Sequence, residues 1–252
     1  MRVPLAGPAN RSGRLAGEHA VTGHSAAATP VWGTSVVRVF DVSVGMTGLT
    51  RASAKRFGKD ATSVTIVAKH HAGYFPGAEV MTLKLTFEPG TGKVLGAQCV
   101  GGEGIDKRID VIATAMHFGG TVRDLAGLDL AYAPPFGSAK DPVHMAAFAA
   151  CNALDEVESF RDSDASLDEV QIVDVRGAGE IKKAPLRESL GAIHIPVDEL
   201  RERLGELDRA KPTVVSCAVG VRGHIAARIL RQNGFEVQNL SGGATVRNRC
   251  FE

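Results

Sequence analysis

The sequence predicts two domains in tandem, an α+β domain on an antiparallel sheet followed by an α/β domain on a parallel sheet. Three observations carry this. The chain has 252 residues, against a soft prior of roughly 100–200 per domain. Between residues 35 and 100, strand-like runs follow one another with turn residues between them. After about residue 165, short apolar strands alternate with short helices, the rhythm of a parallel sheet covered on both faces.

Residues 1–29 are rich in Gly, Ala and small polar side chains. Gly7-Pro8-Ala9-Asn10-Arg11 reads as a turn feeding a short helix. From Ser35, Val37 and Val39 alternate with Val36, Arg38 and Phe40, a β-branched run suited to a strand. Thr62–Lys69 and Val80–Phe87 are further strands; in the latter Met81, Leu83, Leu85 and Phe87 alternate with Thr82, Lys84 and Thr86. Glu88-Pro89-Gly90-Thr91-Gly92 is a turn, and Val94–Val100 returns as a hairpin partner, so these three strands pair antiparallel.

Ile105, Ile109, Ile112 and Met116 recur at helical spacing from Gly104 to His117, and Gly119-Gly120 stops that helix. Asp141-Pro142 opens another, a capping Asp followed by Pro at the first helical position, running to about Leu154. Residues 156–164 are acidic and polar and read as a linker. Beyond it, Val170–Val175, Leu190–Pro196, Pro212–Ser216 and Phe235–Leu240 read as strands. Asp198 is expected to cap a helix through Leu204, and Gly223–Asn233 to form another that Gly234 terminates.

Composition narrows the function classes. Hydrophobic residues are 44% of the chain, and no run approaches the ~20 apolar residues of a spanning helix. Net charge is +1 and aromatics are 5%, so neither nucleic acid nor a membrane surface is an expected partner. The opening residues lack the apolar core of a secretory signal. Cys99, Cys151, Cys217 and Cys250 stand far apart with no C-x-x-C pair, so a reducing cytoplasm is expected. His70 and His71, as successive strand residues, should face opposite ways and not pair as metal ligands. No metal site is expected, and Cys99 and Cys151 read as core thiols.

The chemistry concentrates in Val214-Val215-Ser216-Cys217-Ala218-Val219-Gly220-Val221-Arg222-Gly223-His224-Ile225. An apolar strand delivers Cys217 to a tight loop that leads straight into a helix. Backbone N–H groups of such a loop converge on one point with the helix N-terminus behind them. That favours negative charge at its focus, and thiolate is the nucleophilic form of cysteine. Gly220 lets the loop close; Arg222 braces it or meets an anionic donor. A strand-end cysteine is commonly a buried structural thiol, but C-x-x-G-x-R at a strand-to-helix junction points to a nucleophile.

Around this loop the residues resemble the rhodanese family. Asp174-Val175-Arg176 is similar to its D-V-R motif, Gly191-Ala192-Ile193-His194-Ile195-Pro196 to its G-x-x-x-I-P segment, and Leu240-Ser241-Gly242-Gly243 to its closing L-x-G-G turn, in family order across residues 165–246. The resemblance implies a rhodanese domain over 165–252 and a sulfurtransferase in which Cys217 takes sulfur from a sulfane-sulfur donor as a persulfide and passes it to a thiol acceptor. Ala218, Val219, Gly220, Val221 and Arg222 would form the anion-binding loop, with Asp174 and Arg176 supporting the fold. The loop between Cys217 and Arg222 is shorter than that of phosphatases with a related cysteine loop, which favours a sulfur atom over a phosphate. Gly223 stands where many rhodaneses have Ser or Thr. The apolar Ala218, Val219 and Val221 favour a persulfide or polysulfide donor over thiosulfate.

A second resemblance lies upstream, in His71-Ala72-Gly73-Tyr74-Phe75-Pro76-Gly77-Ala78 and in Ala131-Tyr132-Ala133-Pro134-Pro135-Phe136-Gly137-Ser138-Ala139-Lys140-Asp141-Pro142. Both resemble the dimerisation domain of coenzyme A-disulfide reductases, a branch of the flavin disulfide reductases that often ends in a fused rhodanese domain. The resemblance implies a dimerisation domain over 30–155 and a homodimer, and places Tyr74 and Tyr132 at a vestigial coenzyme A site. Leu5–Arg11 resembles the end of the family's flavin domain, so 1–29 is expected to be its remnant. The full-length family uses FAD, NAD(P)H and coenzyme A. These 252 residues contain no G-x-G-x-x-G fingerprint and no counterpart of the flavin-side redox cysteine. No cofactor is therefore expected in this chain, and oxidoreductase activity only where flavin domains are supplied. A non-catalytic dimerisation or interaction module is the alternative from another class.

Overall fold

The computed structural model describes residues 3–186 and 191–250. It opens on α1 (Ala6–Thr22), which carries no buried residue and is capped by left-handed Gly23. The sequence suggested only a short helix after a turn at Gly7-Pro8. The helix instead starts at Ala6, because Pro is tolerated in a first turn and Ala, Arg, Leu and Glu sustain the rest.

The first sheet has five strands, β1 (Ser35–Val39), β2 (Val42–Gly48), β3 (Thr62–Lys69), β4 (Val80–Phe87) and β5 (Val94–Gly101), in the order β1-β2-β5-β4-β3. All its pairings are antiparallel. β2 and its hairpin with β1 carried little sequence signal. The turn runs through Phe40, which has a positive φ of 52°, in place of the Asn-Gly or Asp-Gly that usually marks a tight hairpin. The buried face of β2 is Gly45 and Thr47, small or polar residues that leave no apolar alternation.

Three helices and a short turn of helix cover this sheet: α2 (Arg51–Arg56), α3 (Ile105–His117), α4 (Val122–Ala126) and α5 (Pro142–Leu154). Ile105, Ile109, Ile112 and Met116 of α3 are buried together with Leu83, Leu85 and Phe87 of β4 and Val143, Ala146 and Ala150 of α5. Burying a side chain of this size contributes about 1.5–3 kcal/mol. Asp141 caps α5, accepting from the Val143 N–H at 3.0 Å. The same carboxylate takes a paired contact from buried Arg108 of α3, at 2.6 and 3.2 Å. Arg108 also donates to the carbonyl oxygens of His70 and Gly104.

The second sheet is parallel and five-stranded: β6 (Phe160–Arg161), β7 (Gln171–Asp174), β8 (Ile193–His194), β9 (Thr213–Ser216) and β10 (Val237–Leu240), in the order β6-β10-β9-β7-β8. Its helices are α6 (Ala178–Lys183), α7 (Val221–Gln232) and α8 (Gly243–Cys250). The antiparallel α+β and parallel α/β architectures thus appear as the sequence predicts.

Three local readings are corrected. Residues 156–164 are not a free linker: Phe160 and Arg161 add β6 to the edge of the second sheet beside Asn239 and Leu240. Their polar composition hides a strand built from backbone pairing. No α-helix follows Asp198. Residues 197–203 form turns closed by i→i+3 bonds, then a 3₁₀ turn at Leu204–Glu206, and Leu200 points into the core. Cys250 closes α8. His70 and His71 lie just past the end of β3, where strand alternation no longer applies, and their ring centroids are 4.1 Å apart. The proposed strand Leu190–Pro196 is β8 at Ile193–His194; Leu190 lies outside the described residues.

Among the described residues no helix is long and apolar enough to cross a membrane, and no cluster of three or more His, Cys, Asp or Glu is arranged to hold a metal ion.

Candidate functional site

β9 ends at Ser216, and the next residue, Cys217, is buried at the carboxyl end of the parallel sheet. The chain then turns over Gly220, whose φ of 98° only glycine adopts without strain, and enters α7 at Val221. Sγ of Cys217 accepts the Gly220 N–H at 3.1 Å and the Gly223 N–H at 3.3 Å. Gly223 lies in the first turn of α7, where backbone donors have no helical partner. Negative charge on Sγ thus meets two N–H groups and the positive end of a twelve-residue helix.

Of the expected loop residues Ala218 to Arg222, only Gly220 turns its N–H onto the sulfur; the second donor, Gly223, lies beyond that set. Val219, Gly220 and Val221 line a neighbouring cleft. The carbonyls of Cys217 and Ala218 accept the N–H groups of Ala244 and Thr245 at 2.8 and 3.0 Å. This explains the Gly242-Gly243 pair: a Cβ on Gly243 would fall 2.4 Å from the Cys217 carbonyl oxygen, so α8 can reach the loop only with glycine there.

Arg222 does not point at the sulfur with a free guanidinium. Both its terminal nitrogens bind Glu180 of α6, at 2.6 and 2.7 Å. Glu180 also accepts the Gly177 N–H. The Arg222 guanidinium and that N–H hold the Glu180 carboxyl down at about 2, and Glu180 raises Arg222 in return. Of the two roles open to Arg222, bracing is the one the geometry displays. Glu180 was not foreseen; nothing in Gly177-Ala178-Gly179-Glu180 marks it as an arginine partner.

Asp174 and Arg176 form a buried pair, with the guanidinium spanning both carboxylate oxygens at 2.6–3.1 Å. Arg176 also donates to the Ala184 carbonyl. The Val175 N–H donates to the Ser216 carbonyl, which sets the pair on the strand beside the cysteine.

Behind the loop lies a network that sequence reasoning missed. Asn239 of β10 donates from Nδ2 to the Gly220 carbonyl at 2.9 Å and to Oε1 of buried Glu158 at 2.7 Å. The other oxygen of Glu158 meets Nδ1 of His224 at 2.7 Å. Oδ1 of Asn239 is buried with no hydrogen-bond partner and sits where a side chain at 223 would project. Glycine at 223, in place of Ser or Thr, leaves the room that Asn239 occupies. His224 and Gly223 stood in the motif, but Glu158 lay in the supposed linker, and only the parallel pairing of β6 brings it near.

In the first domain, Tyr74 and Tyr132 come together with their hydroxyls 3.4 Å apart. The Ala72–Gly137 backbone bond holds their loops side by side. Both rings are exposed, and the Tyr132 hydroxyl pushes the Tyr74 phenol above its usual value. Cys99 is buried among the core residues, which pushes its thiol up to about 12. Cys151 packs part-buried against the same core.

Residues 34–142 match the family model for the pyridine nucleotide-disulphide oxidoreductase dimerisation domain, and residues 156–246 that for the rhodanese-like domain. The chain is therefore a disulphide oxidoreductase dimerisation domain joined to a rhodanese-like domain. This tandem is that of the coenzyme A-disulfide reductase/rhodanese fusions. A solved structure of reduced Bacillus anthracis CoADR-RHD superimposes with a TM-score of 0.89 at 41% identity, over 98% of this chain and 45% of that one. A NAD-dependent persulfide reductase from A. fulgidus gives 0.87 at 40% identity, over 97% and 44%. A NAD(P)H sulfur oxidoreductase (CoA-dependent) of Pyrococcus abyssi is 39% identical over 56% of this chain and 31% of its own length. A coenzyme A disulfide reductase of Staphylococcus epidermidis is 35% identical over 59% and 34%. The chain spans about a third of the length of the curated relatives it matches.

Proposed function

We propose that this chain is a rhodanese-type sulfurtransferase in which Cys217 attacks a sulfane-sulfur donor, carries the sulfur as a persulfide and passes it to a thiol acceptor. The observation that carries this reading is the pair of N–H groups on Sγ at the head of α7. They receive the thiolate that attacks and receive it again when the persulfide discharges. Ala218, Val219, Gly220, Val221 and Arg222 shape the loop, while Asp174 and Arg176 hold the strand beside it. With Arg222 committed to Glu180, the loop offers no unpaired cation to a doubly charged donor, which favours a persulfide or polysulfide over thiosulfate.

The relatives' names favour a second reading, compatible with the first, in which the chain is part of an FAD- and NAD(P)H-dependent coenzyme A-disulfide or persulfide reductase. Two copies would pair through residues 30–155. Val36, Val37, Val39 and Phe40 at the β1–β2 hairpin are exposed, an apolar surface of the kind that pairing covers. Tyr74 and Tyr132 then form a polar pair available to coenzyme A, and residues 1–29 are the end of a flavin-binding domain.

The test is to treat the full chain with sodium polysulfide and follow its intact mass, with Cys217→Ser beside it. Gain of one sulfur that cyanide removes, absent in the variant, is the expected result. A wild-type chain that takes up no sulfur refutes the sulfurtransferase reading.

A further inference from the structure

At the junction of the two domains lies a cleft of about 160 Å³. An apolar wall comes from Ile66 and Val67 of β3 and Met145 and Phe148 of α5, and Val219, Gly220 and Val221 of the cysteine loop line the same cleft. The polar end of the cleft is His224, with Glu158 and Asn239 behind it. Among the described residues, Glu158 and His224 are its only ionisable lining residues. On α7 itself, Arg222 is paired to Glu180, and Arg228 stands exposed one turn beyond His224.

Glu158 is 4% exposed, and its carboxylate contacts Asn239 through one oxygen and His224 through the other. An ionised carboxylate only accepts hydrogen bonds, so its contact with His224 places a proton on Nδ1 and leaves the Nε2 lone pair free. The His224 side chain is 39% exposed. A buried carboxylate that orients an imidazole, whose ring lines a cleft shared with the nucleophile's loop, is the arrangement of an acid–base residue.

We propose that the thiol partner of Cys217 enters through this cleft and that His224, steered by Glu158, takes its proton. The inference rests on the reading of Cys217 as the sulfur carrier and names the group that serves the acceptor. The acceptor's S–H proton passes to Nε2 of His224. The new thiolate attacks the outer sulfur of the Cys217 persulfide, which keeps its own proton. The bond between that sulfur and Sγ breaks, and its electron pair stays on Sγ, facing the N–H groups of Gly220 and Gly223. The acceptor leaves as a persulfide, His224 releases its proton to solvent, and no external oxidant or reductant takes part. The size and apolar wall of the cleft select a small acceptor thiol with little charge.

The experiment loads the full chain with sodium polysulfide and follows discharge to 2-mercaptoethanol by intact mass, in single turnover, from about pH 6 to about pH 9, the span over which imidazole and thiols titrate. In the wild type the discharge rate should change little with pH over the neutral part of this range. In His224→Gln it should fall about tenfold per pH unit below the acceptor's own titration, because only pre-formed thiolate reacts. The loss near pH ~7 should be about 100-fold or more, with convergence at the alkaline end. Discharge is read only from chains whose mass already carries the added sulfur, so a variant that loads less completely still gives a valid rate. Glu158→Gln, of the same shape, should shift the profile the same way by a smaller factor, so the inference does not hang on one variant's folding. Superimposable profiles for wild type and His224→Gln overturn the role of His224 and leave Cys217 as carrier. Failure of the wild type to load overturns both.

Discussion

Gly223→Ala tests the packing behind the cysteine loop, and its sign should depend on one neighbour. An added Cβ falls 2.1 Å from Oδ1 and 2.9 Å from Cγ of Asn239, so Asn239 must leave its place. With it go the bond to the Glu158 carboxylate and the bond to the Gly220 carbonyl. A hydrogen bond to a charged group contributes about 1.5–3 kcal/mol and a neutral one about 0.5–1.5, together about 2–4.5 kcal/mol. Against this, alanine in place of glycine inside a helix gains about 1 kcal/mol. The substitution should therefore destabilise the second domain by about 1–3.5 kcal/mol. In an Asn239→Ala background the obstruction and both bonds are already gone, and the same substitution should stabilise by about 1 kcal/mol. Urea unfolding followed by far-UV circular dichroism measures both arms. The fluorescence of Trp32, the single tryptophan and part of the first domain, should report an unchanged transition. A stabilising Gly223→Ala in the wild-type background, or the same loss in both backgrounds, would refute the account of Asn239 as the side chain that fills this space.

Three further outcomes follow from the ion pairs and thiols. Asp174→Ala leaves the Arg176 guanidinium buried without its partner and should cost about 3–5 kcal/mol, read as a lower urea midpoint for the second domain. Glu180 has a folded value of about 2, below the ordinary 4.5, so its pairing with Arg222 contributes above about pH 4.5 and is lost as pH falls towards about 2. The stability difference between wild type and Glu180→Gln should shrink over that window; the effect is small because both side chains are over a third exposed, and a difference that grows on acidification contradicts the assignment. Cys99, with its thiol pushed up to about 12, should resist iodoacetamide near pH ~8 while exposed Cys250 labels, as peptide mapping would show.

The elements that the sequence made legible are those with strong local signals. The helix from Ile105 to His117 has an apolar stripe and a glycine stop; α5 has Asp141 and Pro142 at its start; β4 alternates cleanly. The cysteine loop was legible because the C-x-x-G-x-R spacing and the surrounding motifs fall in order. Elements made by distant pairing were not. β2 offers Gly45 and Thr47 to the core instead of apolar residues, and β6 exists because two backbone residues meet β10. The same holds within the site. Cys217, Gly220 and Arg222 sit in one stretch of chain, whereas Glu180, Glu158 and Asn239 reach the loop from separate elements. Single-sequence periodicity carries no information about such meetings. Arg222 shows the limit most plainly: its presence was foreseen, but which of its two roles it plays depended on a glutamate forty-two residues away.

The edge position of β6 has a consequence for how this chain forms on the ribosome. Among the described residues β6 has β10 as its one neighbour in the sheet, and Glu158 meets Asn239 across eighty-one residues. The first domain is closed by α5, which ends at Leu154, and can form as soon as that segment emerges. The segment that follows must then wait, its strand edge open and Glu158 in water, until nearly all of the second domain has been synthesised. Closing so long a loop is slow compared with local contacts. The cysteine loop depends on the same closure through Asn239 and Gly220. The cysteine loop is therefore completed late, when β10 and then α8 arrive, and a nascent chain paused before β10 would carry Cys217 without the Asn239 contact that holds its loop.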